Sequence, residues 1–153
     1  MQDRFKFRVW HKKRKKMYDV LHFFTGTWNN GGEWVTAKGF NIITQQDINI
    51  QVEPKDGVII QCTGLRDKNG KLIYEGDIVK YFCPAEYCSG GLHKCPECYS
   101  GENGSVHYDE DLAMYEYRSE SGQCPLTDNI NTEEDLEIIG NIYENPELLK
   151  DGE

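Results

Sequence analysis

The segment TGLRDKNGKLIYEGDIVKYF, residues 63–82, decides the fold predicted for this chain. Its Asn69-Gly70 pair lies between two apolar runs and suits a turn with positive φ at both central residues, a strong signal of a β-hairpin. A second tight connection, Glu75-Gly76-Asp77, follows, and residues 78–82 then have the character of a strand. The segment therefore predicts short strands joined by tight turns.

The same pattern extends outward in both directions. Residues 5–9 alternate apolar and basic side chains, and residues 17–24 resume after a polar connection, so these stretches predict an opening hairpin. Further strand-like runs occupy 58–62, 105–108, 112–117 and 136–143, whereas 40–53 is ambiguous between strand and a short helical turn. No segment repeats another in sequence.

A short C-terminal helix is predicted after residue 144. Asn145 can cap free amides, Pro146 suits the first helical position, and Glu147 suits the positive end of the helix dipole. Together with the strands, this predicts a mainly β protein of successive β-hairpins, with an SH3-like barrel-type core and a short C-terminal helix.

Length and composition set further limits. The 153 residues, 38% of them hydrophobic, suit one globular domain, which we expect to span residues 1–153. No apolar run is long enough for a membrane-spanning helix, and the charged residues 3–6 argue against a signal peptide. We therefore expect a cytoplasmic protein with no membrane contact.

The net charge of −9 is unevenly distributed. Residues 1–16 carry a net charge of +7, and the remainder carries −16. Because an acidic body repels phosphate backbones, nucleic acid is an unfavourable partner. The basic run Lys12–Lys16 is interpreted as a solvated turn that neutralises acidic surface on this chain or a neighbour.

Three stretches resemble the YopX family, small and largely uncharacterised proteins of bacteriophages and prophages. They are KFRVW with KMY at 6–10 and 16–18, the middle segment at 63–79, and IIGNIYENPELL at 138–149. The resemblance implies a β-rich phage or prophage protein of the bacterial cytoplasm. It implies no known activity and offers no catalytic residues.

A cysteine-rich insertion at about 83–104 departs from the family pattern. The spacings Cys83-x4-Cys88 and Cys95-x2-Cys98 resemble those of structural zinc sites, in which four thiolates complete a tetrahedron, with His93 as a substitute ligand. The alternatives are a flexible loop with reduced thiols and a redox pair, but the redox pair lacks a thioredoxin-like setting.

No catalytic motif is present, so we expect no enzyme. Residues 107–111, HYDED, suggest a metal or acid/base site but are better interpreted as a hairpin turn with solvated carboxylates. The main functional hypothesis is a binding or self-associating module that forms a homo-oligomer or contacts a host or phage protein. The alternative is a zinc-stabilised adaptor that contacts host protein or nucleic acid through the cysteine-rich loop.

The zinc hypothesis predicts about one zinc ion per purified chain. Elemental analysis of protein made without added metal measures this ratio, and a Cys95→Ser/Cys98→Ser variant should lose the metal. A ratio near zero in the wild-type protein would contradict the hypothesis.

Overall fold

The structure is a computed structural model that describes residues 3–24, 34–41, 46–81, 102–120, 122–126 and 131–149. The chain divides into two compact units. The N-terminal unit comprises residues 2 and 4–61, and the C-terminal unit comprises residues 1, 3 and 62–153. Strand β5 contains the boundary between them, at residues 61 and 62.

Eleven strands and one α-helix are found among the described residues. The strands are β1 (Phe7–His11), β2 (Lys16–Phe24), β3 (Trp34–Asn41), β4 (Gln46–Val52), β5 (Gly57–Arg66), β6 (Leu72–Tyr74), β7 (Asp77–Tyr81), β8 (Asn103–Asp109), β9 (Met114–Ser119), β10 (Gly122–Pro125) and β11 (Leu136–Asn141). Helix α1 spans Thr132–Asp135, and single turns of 3-10 helix span Asp3–Phe5, Pro54–Asp56 and Pro146–Leu149.

The strands form two antiparallel sheets. The strand order is β4-β3-β2-β1-β5-β6 in one sheet and β10-β9-β8-β7-β11 in the other. The prediction of a mainly β protein is therefore confirmed. Among the described strands no pairing closes either sheet, so the SH3-like barrel stays a prediction.

The two units share one topology. In the N-terminal unit four strands, β1 to β4, form a meander, the turn Pro54–Asp56 follows, and β5 returns to pair with β1. In the C-terminal unit β7 to β10 form the meander, α1 follows, and β11 returns to pair with β7. The chain thus repeats a strand order without repeating a sequence.

Each unit has its own apolar core. In the N-terminal unit the buried cluster consists of Val9, Ala37, Ile50 and Val52, with Tyr18 and Val20 packed against it. In the C-terminal unit the buried cluster consists of Ile73, Val79, Tyr81, Val106, Tyr117, Leu126 and Leu136. In β4 the buried Ile50 and Val52 alternate with the exposed Asn49 and Gln51, as expected where one face of a sheet is covered. In β7 and β8, by contrast, three consecutive residues are buried.

Most of the predicted turns are present, with one correction. The predicted opening hairpin is β1–β2, residues 110–113 form the turn between β8 and β9, and the C-terminal helix is the 3-10 turn Pro146–Leu149. The hairpin predicted at Asn69-Gly70 is β5–β6. The prediction of a positive φ at both residues was wrong, because only Gly70 has a positive φ, at +75°. The Asp67 carboxylate accounts for the difference, since it accepts the Asn69 and Lys71 N–H groups and closes a wider turn.

Gly104 in β8 allows a close approach by the aromatic core. A Cβ atom there would overlap the Tyr117 ring, which is 1% exposed, and would lie 2.6 Å from the Arg118 carbonyl oxygen. Because neither the buried ring nor the ladder backbone can move freely, only glycine fits at this position.

Gly104→Ala should lower the free energy of unfolding by about 2–3 kcal/mol through overpacking. Gly70→Ala is the matched control, because open space surrounds Gly70 and only its positive φ is strained, at a cost of about 1 kcal/mol. Denaturant unfolding followed by far-UV circular dichroism measures both. Equal losses of stability in the two variants would contradict the close contact between Gly104 and the Tyr117 ring.

Candidate functional site

The predicted zinc ligands lie outside the described residues. Cys83, Cys88, Cys95, Cys98 and the substitute His93 all fall within 82–101, so the zinc site stays a prediction. Within the parts of the chain that the structure describes, no three histidine, cysteine or acidic side chains are grouped so that they could hold a metal ion. Cys62 is buried, and Cys124 is partly exposed.

The first acidic residue of the middle motif, Asp67, holds two distant segments together. Its carboxylate is 1% exposed and accepts the backbone N–H groups of Asn69 and Lys71, each at 2.9 Å, and of Ile138 at 3.1 Å. The Lys68 N–H donates to the Leu136 carbonyl at 2.9 Å. The middle motif is therefore bonded directly to β11, the first strand of the closing motif.

These bonds determine the charge state of Asp67. Burial by itself would raise the pKa of this carboxyl, but the hydrogen bonds from the backbone of Ile138, Lys71 and Asn69 favour the ionised form and lower the pKa below its ordinary value. Asp67 is therefore an ionised structural acceptor. The three backbone amides that donate to it belong to its own unit.

The second buried acid of the motif, Asp77, joins the same two motifs. It accepts the Tyr74 N–H at 2.8 Å and the Asn141 side-chain amide at 3.1 Å, and Asn141 in turn accepts the Tyr143 N–H at 3.0 Å. The Ile142 N–H donates to the Gly76 carbonyl at 2.9 Å. The long motifs at 63–79 and 138–149 thus serve to assemble the C-terminal unit.

One polar cluster contains a hydroxyl and an imidazole in contact. Ser105 Oγ lies 2.8 Å from His107 Nε2 on β8, and the strand register places Arg118 and Glu116 of β9 directly opposite these two residues. Cross-strand partners share a face, so all four side chains lie on one side of the sheet. The sequence reasoning missed this cluster because its members come from two strands.

The cluster has part of the arrangement of a nucleophile and its base. Burial lowers the pKa of His107, Arg118 lowers it further, and Glu116 acts in the opposite direction. The carboxylate of Glu116, however, already accepts a hydrogen bond from Arg118, and Ser105 and Glu116 are only 5% and 3% exposed. We interpret the cluster as a buried polar network of the sheet.

The acids that follow His107 in sequence are used differently. Asp109 Oδ1 accepts the backbone N–H groups of Asp111 and Leu112, at 2.9 and 3.0 Å, in the turn between β8 and β9. The interpretation of HYDED as a hairpin turn is confirmed, because His107 points to Ser105 and Glu116 while Asp109 closes the turn.

The basic run forms the turn between β1 and β2, and its residues are exposed. The Lys12 N–H donates to the Asp56 carbonyl at 2.9 Å, and Lys13 Nζ lies 3.0 Å from the Asp56 carboxylate. The hydrogen bond from Lys13 lowers the pKa of Asp56. The predicted solvated turn therefore neutralises one acid of its own unit.

Charge separates the two units. Residues 4–61 carry ten basic and five acidic side chains, a net charge of +5, whereas the C-terminal unit carries seven basic and 21 acidic ones, a net charge of −14. The two units therefore differ in the sign of their net charge.

Exposed apolar side chains are concentrated in the N-terminal unit. Among the described residues, its exposed large hydrophobic side chains are Phe5, Leu21, Phe23, Ile48 and Ile59, against Tyr108 and Leu112 in the C-terminal unit. Phe23 also contacts Phe7 edge to face, with ring centroids 4.8 Å apart. Among the described residues, the exposed large apolar side chains thus lie mainly in the N-terminal unit.

Asp67→Ala should lower the free energy of unfolding by about 2–4 kcal/mol, because three backbone N–H groups lose their acceptor. The control is Asp111→Ala in the exposed β8–β9 turn, which should change the stability by less than about 0.5 kcal/mol. Denaturant unfolding at neutral pH compares the two, and similar values would contradict the structural role of Asp67.

The pH dependence gives an independent check. The folded-state pKa of Asp67 lies below the ordinary 3.8, so its stabilisation is present above that pH and is lost as the pH falls through the folded-state value. The stability difference between wild type and Asp67→Asn should therefore shrink as the pH is lowered below about 4. A difference that stays constant down to acid unfolding is the contrary result.

Comparison with known proteins gives the family. The sequence model described as YopX protein matches residues 6–150. The crystal structure of protein EF1440 from Enterococcus faecalis is similar with 24% identity and a TM-score of 0.52, covering 94% of this chain and 96% of that one.

The crystal structure of yopX from Bacillus subtilis is similar with 19% identity and a TM-score of 0.54, covering 95% of this chain and 98% of that one. At these identities the two likenesses show the fold alone. No curated protein sequence matches the chain. Because the family model spans nearly all of the sequence, including all three resembling stretches, the chain belongs to the YopX family.

Proposed function

We propose that the protein acts by binding, as a self-associating module of two SH3-like units, and that it catalyses no reaction. The shared strand order, with one helical turn before the returning strand, supports the SH3-like assignment of each unit. Fold alone carries no function, so the proposal depends on the surface.

The observation that carries it is the exposed apolar surface of the N-terminal unit. Phe23 and Ile59 are each 47% exposed although both lie within strands, and Ile48 is 36% exposed on β4, an edge strand. Isolated exposed apolar side chains are ordinary, but several within one small β unit favour a surface that is covered in use.

The contacts made by the buried acidic residues support the proposal that the protein catalyses no reaction. Asp67 and Asp77 are engaged with backbone and amide groups of their own unit, and Glu116 is paired with Arg118. A general acid or base needs free access to a substrate proton, which these buried and bonded groups do not offer.

Origin and location form part of the same proposal. The family resemblance supports a phage or prophage protein that works in the bacterial cytoplasm. No helix among the described residues is long and apolar enough to cross a membrane. The alternative, a zinc-stabilised adaptor, is supported by the spacing of the cysteines alone, and measurement of the zinc content of the purified protein tests it.

Self-association predicts that the mass in solution exceeds that of one chain and rises with concentration in the micromolar range. Light scattering coupled to size exclusion measures this. Because apolar burial is insensitive to screening, the mass should persist in about 0.5 M salt, where attraction between the +5 and −14 units would weaken. A strict monomer at every concentration would contradict the proposal.

A further inference from the structure

Among the described strands, β4 forms one edge of its sheet in the N-terminal unit. It pairs with β3 along all seven residues, from Val35 opposite Val52 to Asn41 opposite Gln46, and it ends the strand order of its sheet. In an antiparallel pair every second residue directs its N–H and C=O groups away from the partner. The outer side of β4 therefore presents a row of backbone donors and acceptors.

The other edge strands carry features that discourage further pairing. β6 has three residues, β10 has four and ends in Pro125, and β11 has a register shift between Ile138 and Gly140. Short length, proline and bulges are the usual protections of sheet edges. β4 has no proline, no lysine and an unbroken register with β3. Among the described strands it is the edge best prepared to accept another strand.

The side chains of β4 match a second copy of the same strand. Ile50 and Val52 are buried at 6% and 1% exposure, and Ile48 shares their face but is 36% exposed. Asn49 and Gln51 are exposed on the opposite face. With Asn49 on a two-fold axis, antiparallel pairing sets Ile48 opposite Ile50 of the second copy and Asn49 opposite Asn49, so like faces like at the centre of the strand. Toward the ends the same register sets Asp47 opposite Gln51 and Gln46 opposite Val52.

We infer that β4 pairs antiparallel with β4 of a second copy, about a two-fold axis at Asn49, to form one continuous sheet. The pairing satisfies the open backbone groups and covers Ile48, and its self-complementary pattern is what an isologous dimer requires. The inference rests on the self-association proposed above and names its surface. A strand from a different protein would not need this symmetry.

Asn49→Lys should weaken the dimer at least about tenfold, because like charges would lie directly opposite each other across the axis. Asn49→Asp should weaken it similarly, and an equimolar mixture of the two variants should restore association through the mixed pair. The matched control is Gln123→Lys, which adds the same charge to the exposed side of another edge strand, β10, and should leave association unchanged. Sedimentation velocity gives the dissociation constants, and circular dichroism checks folding.

A second measurement needs no variant. Hydrogen exchange of the β4 amides should slow as the concentration of wild-type protein rises, whereas exchange in β10 should not change. A monomeric wild type would overturn both this inference and the proposed function. A dimer that tolerates both Asn49 variants, or a mixture that fails to restore pairing, would overturn the β4 interface and leave the proposed function standing.

Discussion

The C-terminal unit depends on one buried carboxylate that satisfies three backbone amides at once. Asp67 bonds to its own turn through Asn69 and Lys71 and to β11 through Ile138, a residue far along the chain. An amide left without an acceptor in the interior costs as much as a lost hydrogen bond, so the turn and the last strand stabilise each other through this carboxylate. The Asp77–Asn141 pair adds a second link between the same segments.

These hydrogen bonds give the long family motifs a structural role. Residues 63–79 and 138–149 contain acids, asparagines and glycines, the residue types that often mark active sites. Here Asp67, Asp77 and Asn141 are used to join strands, and Gly76 supplies a carbonyl to the Ile142 N–H. The long motifs therefore encode the assembly of the fold, and most of the exposed large apolar side chains among the described residues lie elsewhere, on the N-terminal unit.

Local sequence patterns predicted most of the strands and turns, but they did not predict which distant strands pair with each other. Alternation of apolar side chains identified the β1–β2 and β8–β9 hairpins, and Asn69-Gly70 identified β5–β6, because such signals lie within a few residues of each other. The return of β5 to β1 and of β11 to β7 depends on packing between distant segments, which no short window records. For the same reason the Ser105–His107–Glu116–Arg118 cluster was missed. The prediction of a positive φ at Asn69 was wrong because the turn depends on hydrogen bonds to the side chain of Asp67, which lies outside the Asn69-Gly70 dipeptide.

The repeated strand order places two unlike segments at equivalent positions. The connection between the first and second strands is four residues long in the N-terminal unit and consists only of lysine and arginine. The corresponding connection in the C-terminal unit runs from 82 to 102 and contains four of the six cysteines. The strands on either side pair antiparallel in both units, although the two connections differ in length by 17 residues. Equivalent strand pairs are thus joined by a short cationic segment in one unit and by a long cysteine-bearing segment in the other.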